Sequence, residues 1–127
     1  MAEKRDRVLS ALSLAAKAGK IKSGEFQTET AVKDGSAQCV LLARDASENT
    51  RKKFHDACAY AGIPVAEYGD RAMLGHCIGR DYRASIAVTD PSFAQMIRKA
   101  LSDDDHTETD GNRGVKNDGG GQIDENT

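Results

Sequence analysis

The run Cys39-Val-Leu-Leu-Ala43 is apolar at five consecutive positions, whereas the segments on either side of it repeat apolar residues every three or four positions. A strand that is apolar without alternation has to be covered on both faces, and a helical stripe has one face to bury. Both demands are met when helices pack on either side of a sheet, so the spacing predicts an α/β chain built as a three-layer α/β/α sandwich.

The remaining elements fall into place around that strand. Val8, Leu9, Leu12, Ala15 and Ala16 recur at helical spacing and stop before Gly19, which predicts a first helix. Thr28, Ala31, Val32 and Gly35 mark a short second helix after Gly24, with Glu25 placed to favour its N-terminus. After the central strand, Ser47 is the best N-cap candidate for a third helix, whose stripe Phe54, Ala57, Cys58 and Ala61 ends at Gly62. Pro64–Tyr68 reads as a strand whose opening proline suits a first position or an edge. Ala72–Ile78 reads as a helix closed by Gly79, Arg83–Thr89 as a strand, and Asp90-Pro91 as the start of a last helix turning Phe93, Met96, Ile97, Ala100 and Leu101 inward. The expected order is ααβαβαβα around a mixed sheet, with right-handed crossovers wherever neighbouring strands run parallel.

Charge divides the chain. Residues 1–101 hold 16 Lys and Arg against 12 Asp and Glu, a net of +4, while residues 102–127 hold 2 against 8, a net of −6. From Ser102 on, only Val115 and Ile123 are larger aliphatics, too few to offset the entropy of ordering. The reading is therefore one folded domain over 1–101 and a disordered acidic tail over 102–127. A basic body attracts phosphate, which the whole-chain charge of −2 conceals. No apolar run approaches the roughly 20 residues of a bilayer crossing, and the N-terminus lacks a secretory pattern, so a cytoplasmic location and no membrane partner are expected. Cys39, Cys58 and Cys77 lie far apart, odd in number and without a C-x-x-C spacing, so packed reduced thiols are expected, with no metal site.

Enzyme signatures are missing throughout: no dinucleotide fingerprint, no phosphate-binding P-loop, no nucleophile elbow and no metalloprotease helix. His55 lies off the stripe of helix three, as a solvated histidine does. His76 and Cys77 are adjacent on a helix and point roughly 100° apart, a poor arrangement for proton transfer, so Cys77 reads as packing and no catalytic residue or cofactor is expected.

The surface left over on helix two is more informative. At roughly 100° per residue, Phe26, Gln27 and Thr30 fall together and away from the Thr28/Ala31/Val32 stripe. An exposed aromatic at a helix start, preceded by Lys20-Ile-Lys22-Ser23-Gly24, combines a stacking face, backbone N–H groups for phosphate and two cations. The bland alternative has Phe26 folding back as a hydrophobic staple and the lysines merely solvated. Arg44 adds charge nearby, while Arg51, Lys52 and Lys53 span most of a helical turn and read as a solvent face. In a second loop, Ile78-Gly79-Arg80-Asp81-Tyr82-Arg83, continuing to Ala84, an apolar residue, a glycine and two arginines can cover an unstacked base; equally, Ile78 can belong to the core.

Taken together, Lys22-Ser-Gly-Glu25, the run Val40 to Phe54, Leu74-Gly-His-Cys-Ile-Gly79 and Ile86-Ala-Val-Thr-Asp90 with Phe93-Ala94 resemble the bacterial YlxQ-type branch of the L-seven-Ae/L-thirty-e ribosomal-protein superfamily. The resemblance spans residues 5–101 in order. It implies a non-enzymatic RNA-binding sandwich whose relatives grip kink-turns, sharply bent internal loops, through the start of helix two and the loop before the last strand. Kink-turn binders of this superfamily carry Gly-x-Asn-Glu-x-x-Lys at helix two; here Gly24 is followed by Glu25, Phe26, Gln27, Thr28, Glu29 and Thr30. An amide, a carboxylate and an ammonium have become a phenyl, an amide and a hydroxyl. Gln27 still bonds a base edge and Phe26 stacks, but Thr30 does not neutralise phosphate, so altered RNA selectivity is expected.

The candidate RNA-binding residues are thus Lys20, Lys22, Ser23, Gly24, Glu25, Phe26, Gln27, Thr30, Arg44, Ile78, Gly79, Arg80, Arg83 and Ala84. The expected partner is structured RNA, kink-turn-like or related, with ribosomal RNA, the ribosome or ribosomal proteins as its setting and a monomeric chain. The rival reading is a protein-interaction adaptor that kept the scaffold after losing its RNA grip, which the altered 26/27/30 triple favours.

Overall fold

In a computed structural model, residues 6–108 are described. They form α1 (Arg7–Lys17), β1 (Ile21–Ser23), α2 (Glu25–Lys33), β2 (Cys39–Leu42), α3 (Glu48–Ala61), β3 (Val65–Glu67), α4 (Arg71–Cys77), β4 (Ser85–Val88) and α5 (Pro91–Glu108). The four strands make one mixed sheet in the order β1-β4-β2-β3. Strand β4 runs antiparallel to both β1 and β2, and the parallel pair is β2 and β3, joined through α3.

The unalternating run is central, as its composition demands. Every residue of β2 and β4 is buried. Val40 pairs with Ala87, and both enter a cluster with Leu42, Ala31 and Val32 of α2, and Phe54 and Cys58 of α3. Leu41 and Ile86, also paired, alternate onto the other face and are fully buried there. The helices left to cover that face are α1, which is in contact with α4 and buries Val8 and Leu12, α4 with Leu74, and the start of α5 with Ala94 and Ile97.

Helix boundaries follow their capping chemistry. Asp6 accepts the Leu9 N–H at 2.9 Å, Ser47 accepts the Thr50 N–H at 3.1 Å, Asp70 accepts the Met73 N–H at 2.7 Å and Asp90 accepts the Phe93 N–H at 3.0 Å. Gly62 ends α3 in the left-handed conformation, as its position in the sequence predicts. Pro64 precedes the edge strand β3, where a missing N–H costs no ladder bond.

Several expectations need correction. Met96, expected to turn inward on the last helix, is 47% exposed. The order read from the sequence lacks β1: Ile21–Ser23 has one apolar residue in three, and its ladder exists only because β4 lies alongside to pair Ile21 with Val88 and Ser23 with Ile86. The last helix, expected to stop at Leu101, continues to Glu108. Once nucleated, a helix gains a hydrogen bond for each residue added, so it propagates past its last apolar position. Residues 109–127, the rest of the expected disordered tail, lie outside the described residues.

The chain divides inside α5 into two units, Met1–Ile97 and Arg98–Thr127. Every residue of the candidate site belongs to the first. No described helix is long and apolar enough to cross a membrane.

Candidate nucleic-acid interface

The site is built around the step from β1 into α2. Gly24 makes that step with φ 92° and ψ 159°, a region that essentially only glycine enters. A Cβ added there meets nothing within 4 Å, so the backbone conformation, not crowding by its own chain, requires glycine. Glycine also brings no capping side chain, so no side chain closes off the first N–H groups of α2.

Beyond Gly24 the helix turns Thr28, Ala31 and Val32 inward and leaves Phe26 80% exposed, with Gln27 and Thr30 exposed beside it. The staple alternative for Phe26 is therefore excluded. Thr30 is partly occupied with its own helix, its hydroxyl donating to the Phe26 carbonyl at 2.9 Å. Glu25 is tied to Lys53 of α3 at 2.9 Å, and Glu29 takes the same ammonium at 2.9 Å. Lys53 and then Lys33 hold the Glu29 carboxyl below its ordinary value, and Glu25 and then Glu29 raise Lys53.

The second segment reaches the first through β4. The Gly24 N–H donates to the Ser85 carbonyl at 3.0 Å, and Arg83 Nε donates to Ser23 Oγ at 3.1 Å. Arg83 is itself anchored, its N–H donating to the Arg71 carbonyl at 3.1 Å and Nη1 to the Tyr82 carbonyl at 2.7 Å. Ala84 accepts the Ala43 N–H at 2.9 Å, which sets Arg44 at the same end of the sheet, its guanidinium 5.8 Å from the Tyr68 ring centre. Ser23, Gly24, Arg83 and Ala84 are thus brought together, while Arg44, its N–H bonded to the Gly69 carbonyl, leans toward the β3 edge.

The other candidates are less uniformly gathered. Lys22 pairs with Ala87, whose side chain joins the α2/α3 cluster, so Lys22 projects on the α2 side. There it borders a depression of about 180 Å³ with Phe26, Gln27 and Thr30. Lys20 sits before the start of β1, its carbonyl accepting the Thr89 N–H at 2.9 Å. It is separated from Gly24 by the length of the strand, roughly 13 Å of extended chain. Ile78 caps α4 half-buried, and Gly79 follows with φ 79°. Arg80 is exposed, its N–H bonded to the Gly75 carbonyl at 2.8 Å.

The pairing of cations separates this end of the sheet from α3. Arg51 bonds Glu67, Lys52 bonds Asp56 and Lys53 bonds two glutamates, as a solvent face does. Among the described residues, Lys22, Arg44, Arg80 and Arg83 form no such salt bridge; Arg83 bonds Ser23 and the Tyr82 carbonyl, Arg44 lies over the Tyr68 ring, and the charge of Lys22 acts on Asp34. His55 pairs with Glu67 at 2.9 Å. Burial, with Asp6 as a lesser cause, pushes the Cys77 thiol up to about 11, which leaves almost no thiolate near neutral pH.

Gly75, part of the Leu74–Gly79 motif, is not among the residues expected at the site. It lies buried inside α4, and a Cβ there falls 2.3 Å from the Asp81 carbonyl oxygen and 2.9 Å from the Tyr82 Cα. The backbone of the arginine loop crosses the helix at that point, which only glycine permits. The available signal was an isolated glycine inside a helical pattern.

Residues 6–97 match the Ribosomal protein L7Ae/L30e/S12e/Gadd45 family. The chain belongs to this family. RNA-binding protein YlxQ of Bacillus subtilis is 42% identical to it over 90 residues, covering 71% of this chain and 90% of that protein. RNA-binding protein YlxQ of Enterococcus faecium is 32% identical over 97 residues, covering 76% of this chain and 93% of that protein. Within the family this places the chain with the bacterial YlxQ-type members. A solved structure of a protein of unknown function from Bacillus halodurans C shares the fold with a TM-score of 0.75 and 38% identity, over 77% of this chain and 99% of that one. None of these family or protein names is that of an enzyme.

Proposed function

We propose that this protein binds structured RNA without catalysis, using one surface formed by the start of α2 and the loop between α4 and β4. The observation that carries the reading is the pair of bonds from Gly24 to Ser85 and from Arg83 to Ser23, which makes the two segments neighbours. Phe26 offers a stacking face, the N–H groups of α2 without a side-chain cap suit a phosphate, and Arg44, Arg80 and Arg83, which form no salt bridge among the described residues, supply charge together with Lys22. The two relatives named RNA-binding proteins support it further. The RNA is a kink-turn or a related bent internal loop, and its setting is the ribosome in the cytoplasm, where the protein acts as a monomer.

Filter binding of the full chain to an RNA duplex carrying a kink-turn, and to the same duplex with the loop fully paired, tests this. Tight retention of the first, loose retention of the second and loss of both with Gly24→Asp are expected. Gly24→Asp adds bulk and a negative charge where the phosphate would sit. Retention that ignores the loop removes the kink-turn specificity. A chain that holds no RNA but co-sediments with ribosomal protein would favour the adaptor reading instead.

A further inference from the structure

We propose that the depression beside α2 is a pocket for one unpaired guanine base, stacked on the Phe26 ring and held by its edge between Asp34 and Lys22. The proposal rests on the RNA-binding reading and names the base which that surface selects. The depression, of about 180 Å³, is bordered by Lys22, Phe26, Gln27, Asp34 and Ser36 among others, so an apolar wall stands beside a cation and an anion.

The chemistry of the two charges is complementary to one base. Asp34 follows the last turn of α2, and one of its carboxylate oxygens accepts the Ser36 N–H at 2.9 Å. The hydrogen bonds from Ser36, with the positive charge of Lys22 as a lesser cause, hold the Asp34 carboxyl below its ordinary value. It is therefore ionised at neutral pH and only accepts, with lone pairs remaining after the Ser36 bond. Guanine alone of the four bases presents two adjacent N–H donors, at N1 and N2, with the O6 acceptor alongside. A carboxylate takes the two donors as a parallel pair, and an ammonium takes O6. Adenine and cytosine place a ring lone pair next to their amino group, which would face the carboxylate, and uracil offers a single N–H between two carbonyls. The charge on Asp34 also repels phosphate, so a nucleotide enters this pocket base first.

Fluorescence anisotropy of the full chain with two single-stranded RNA heptamers, UUUGUUU and UUUAUUU, at low salt provides the test. The guanine heptamer is expected to bind about tenfold tighter, the discrimination a bidentate base contact supplies. Asp34→Asn erases that preference by weakening the guanine heptamer, because its amide NH2 opposes the donors of guanine, while its carbonyl still accepts the Ser36 N–H and preserves the turn. Phe26→Ala weakens both heptamers alike, since stacking does not distinguish their edges. Equal affinity of the unaltered chain for the two heptamers overturns the pocket, as does a preference that survives Asp34→Asn. Binding of a kink-turn RNA without any guanine preference sinks the pocket alone, whereas failure to bind every RNA sinks the RNA-binding reading with it.

Discussion

At the scale of single residues, Phe26 and Thr28 are two positions apart on α2 and illustrate opposite departures from ordinary burial. Phe26 is a large apolar side chain left 80% exposed, so it contributes almost nothing to the core. Phe26→Ala is expected to leave the urea unfolding midpoint unchanged while costing about 1–3 kcal/mol of RNA affinity, measured by anisotropy. A fall in stability would instead make Phe26 a packing residue. Thr28 is fully buried, and its hydroxyl, like that of Ser85, has no hydrogen-bond partner among the described residues. A buried hydroxyl without a partner is destabilising, and valine has nearly the same shape. Thr28→Val is expected to raise the unfolding free energy by about 1 kcal/mol in urea titration. Both positions were legible from the helical angle, which separates them by about 200°. The missing partner of Thr28 was not, because it depends on what lies across the interface.

At the scale of elements, legibility tracked how local the cause is. The caps of α3 at Ser47 and Gly62 act within one turn, and their residue types announce them. Strand β1 is different: Ile21–Ser23 carries too few apolar residues to alternate, and its strand geometry comes from the ladder with β4. The arginine loop is likewise set from outside, by the contact of Asp81 and Tyr82 with α4 at Gly75. Gly75→Ala therefore forces the loop away from the helix, and with it Arg83, whose N–H bonds the Arg71 carbonyl. It is expected to lower stability by about 1–3 kcal/mol in chemical denaturation and to weaken RNA retention on filters. Loss of stability with full RNA affinity would show that the loop's position is irrelevant to binding.

At the scale of the whole molecule, charge is informative only after division, since the net of −2 is a basic body offset by acidic residues beyond position 101. Arg44, Arg80 and Arg83, without carboxylate partners among the described residues, are the cations available to phosphate, whereas Lys22 borders the depression that also holds Asp34. If each meets one phosphate, log Kobs should fall against log[salt] with a slope of roughly −2 to −3. Arg83→Gln should reduce that slope by about 0.7–0.9. A slope near zero, read from binding isotherms across a salt series, would dismiss an electrostatic interface. The sequence by itself determined the layered α/β architecture, the family and the exposed 26/27/30 face, because apolar spacing and cap chemistry act over a few residues. Only the tertiary structure decided that Ser23 and Gly24 meet Arg83 and Ser85, that Lys20 lies apart from them, and that Asp34 and Lys22 share a depression. Those relations join residues up to sixty-one positions apart, and the pairing of β1 with β4, to which no local preference in Ile21–Ser23 commits the chain, is what brings them together.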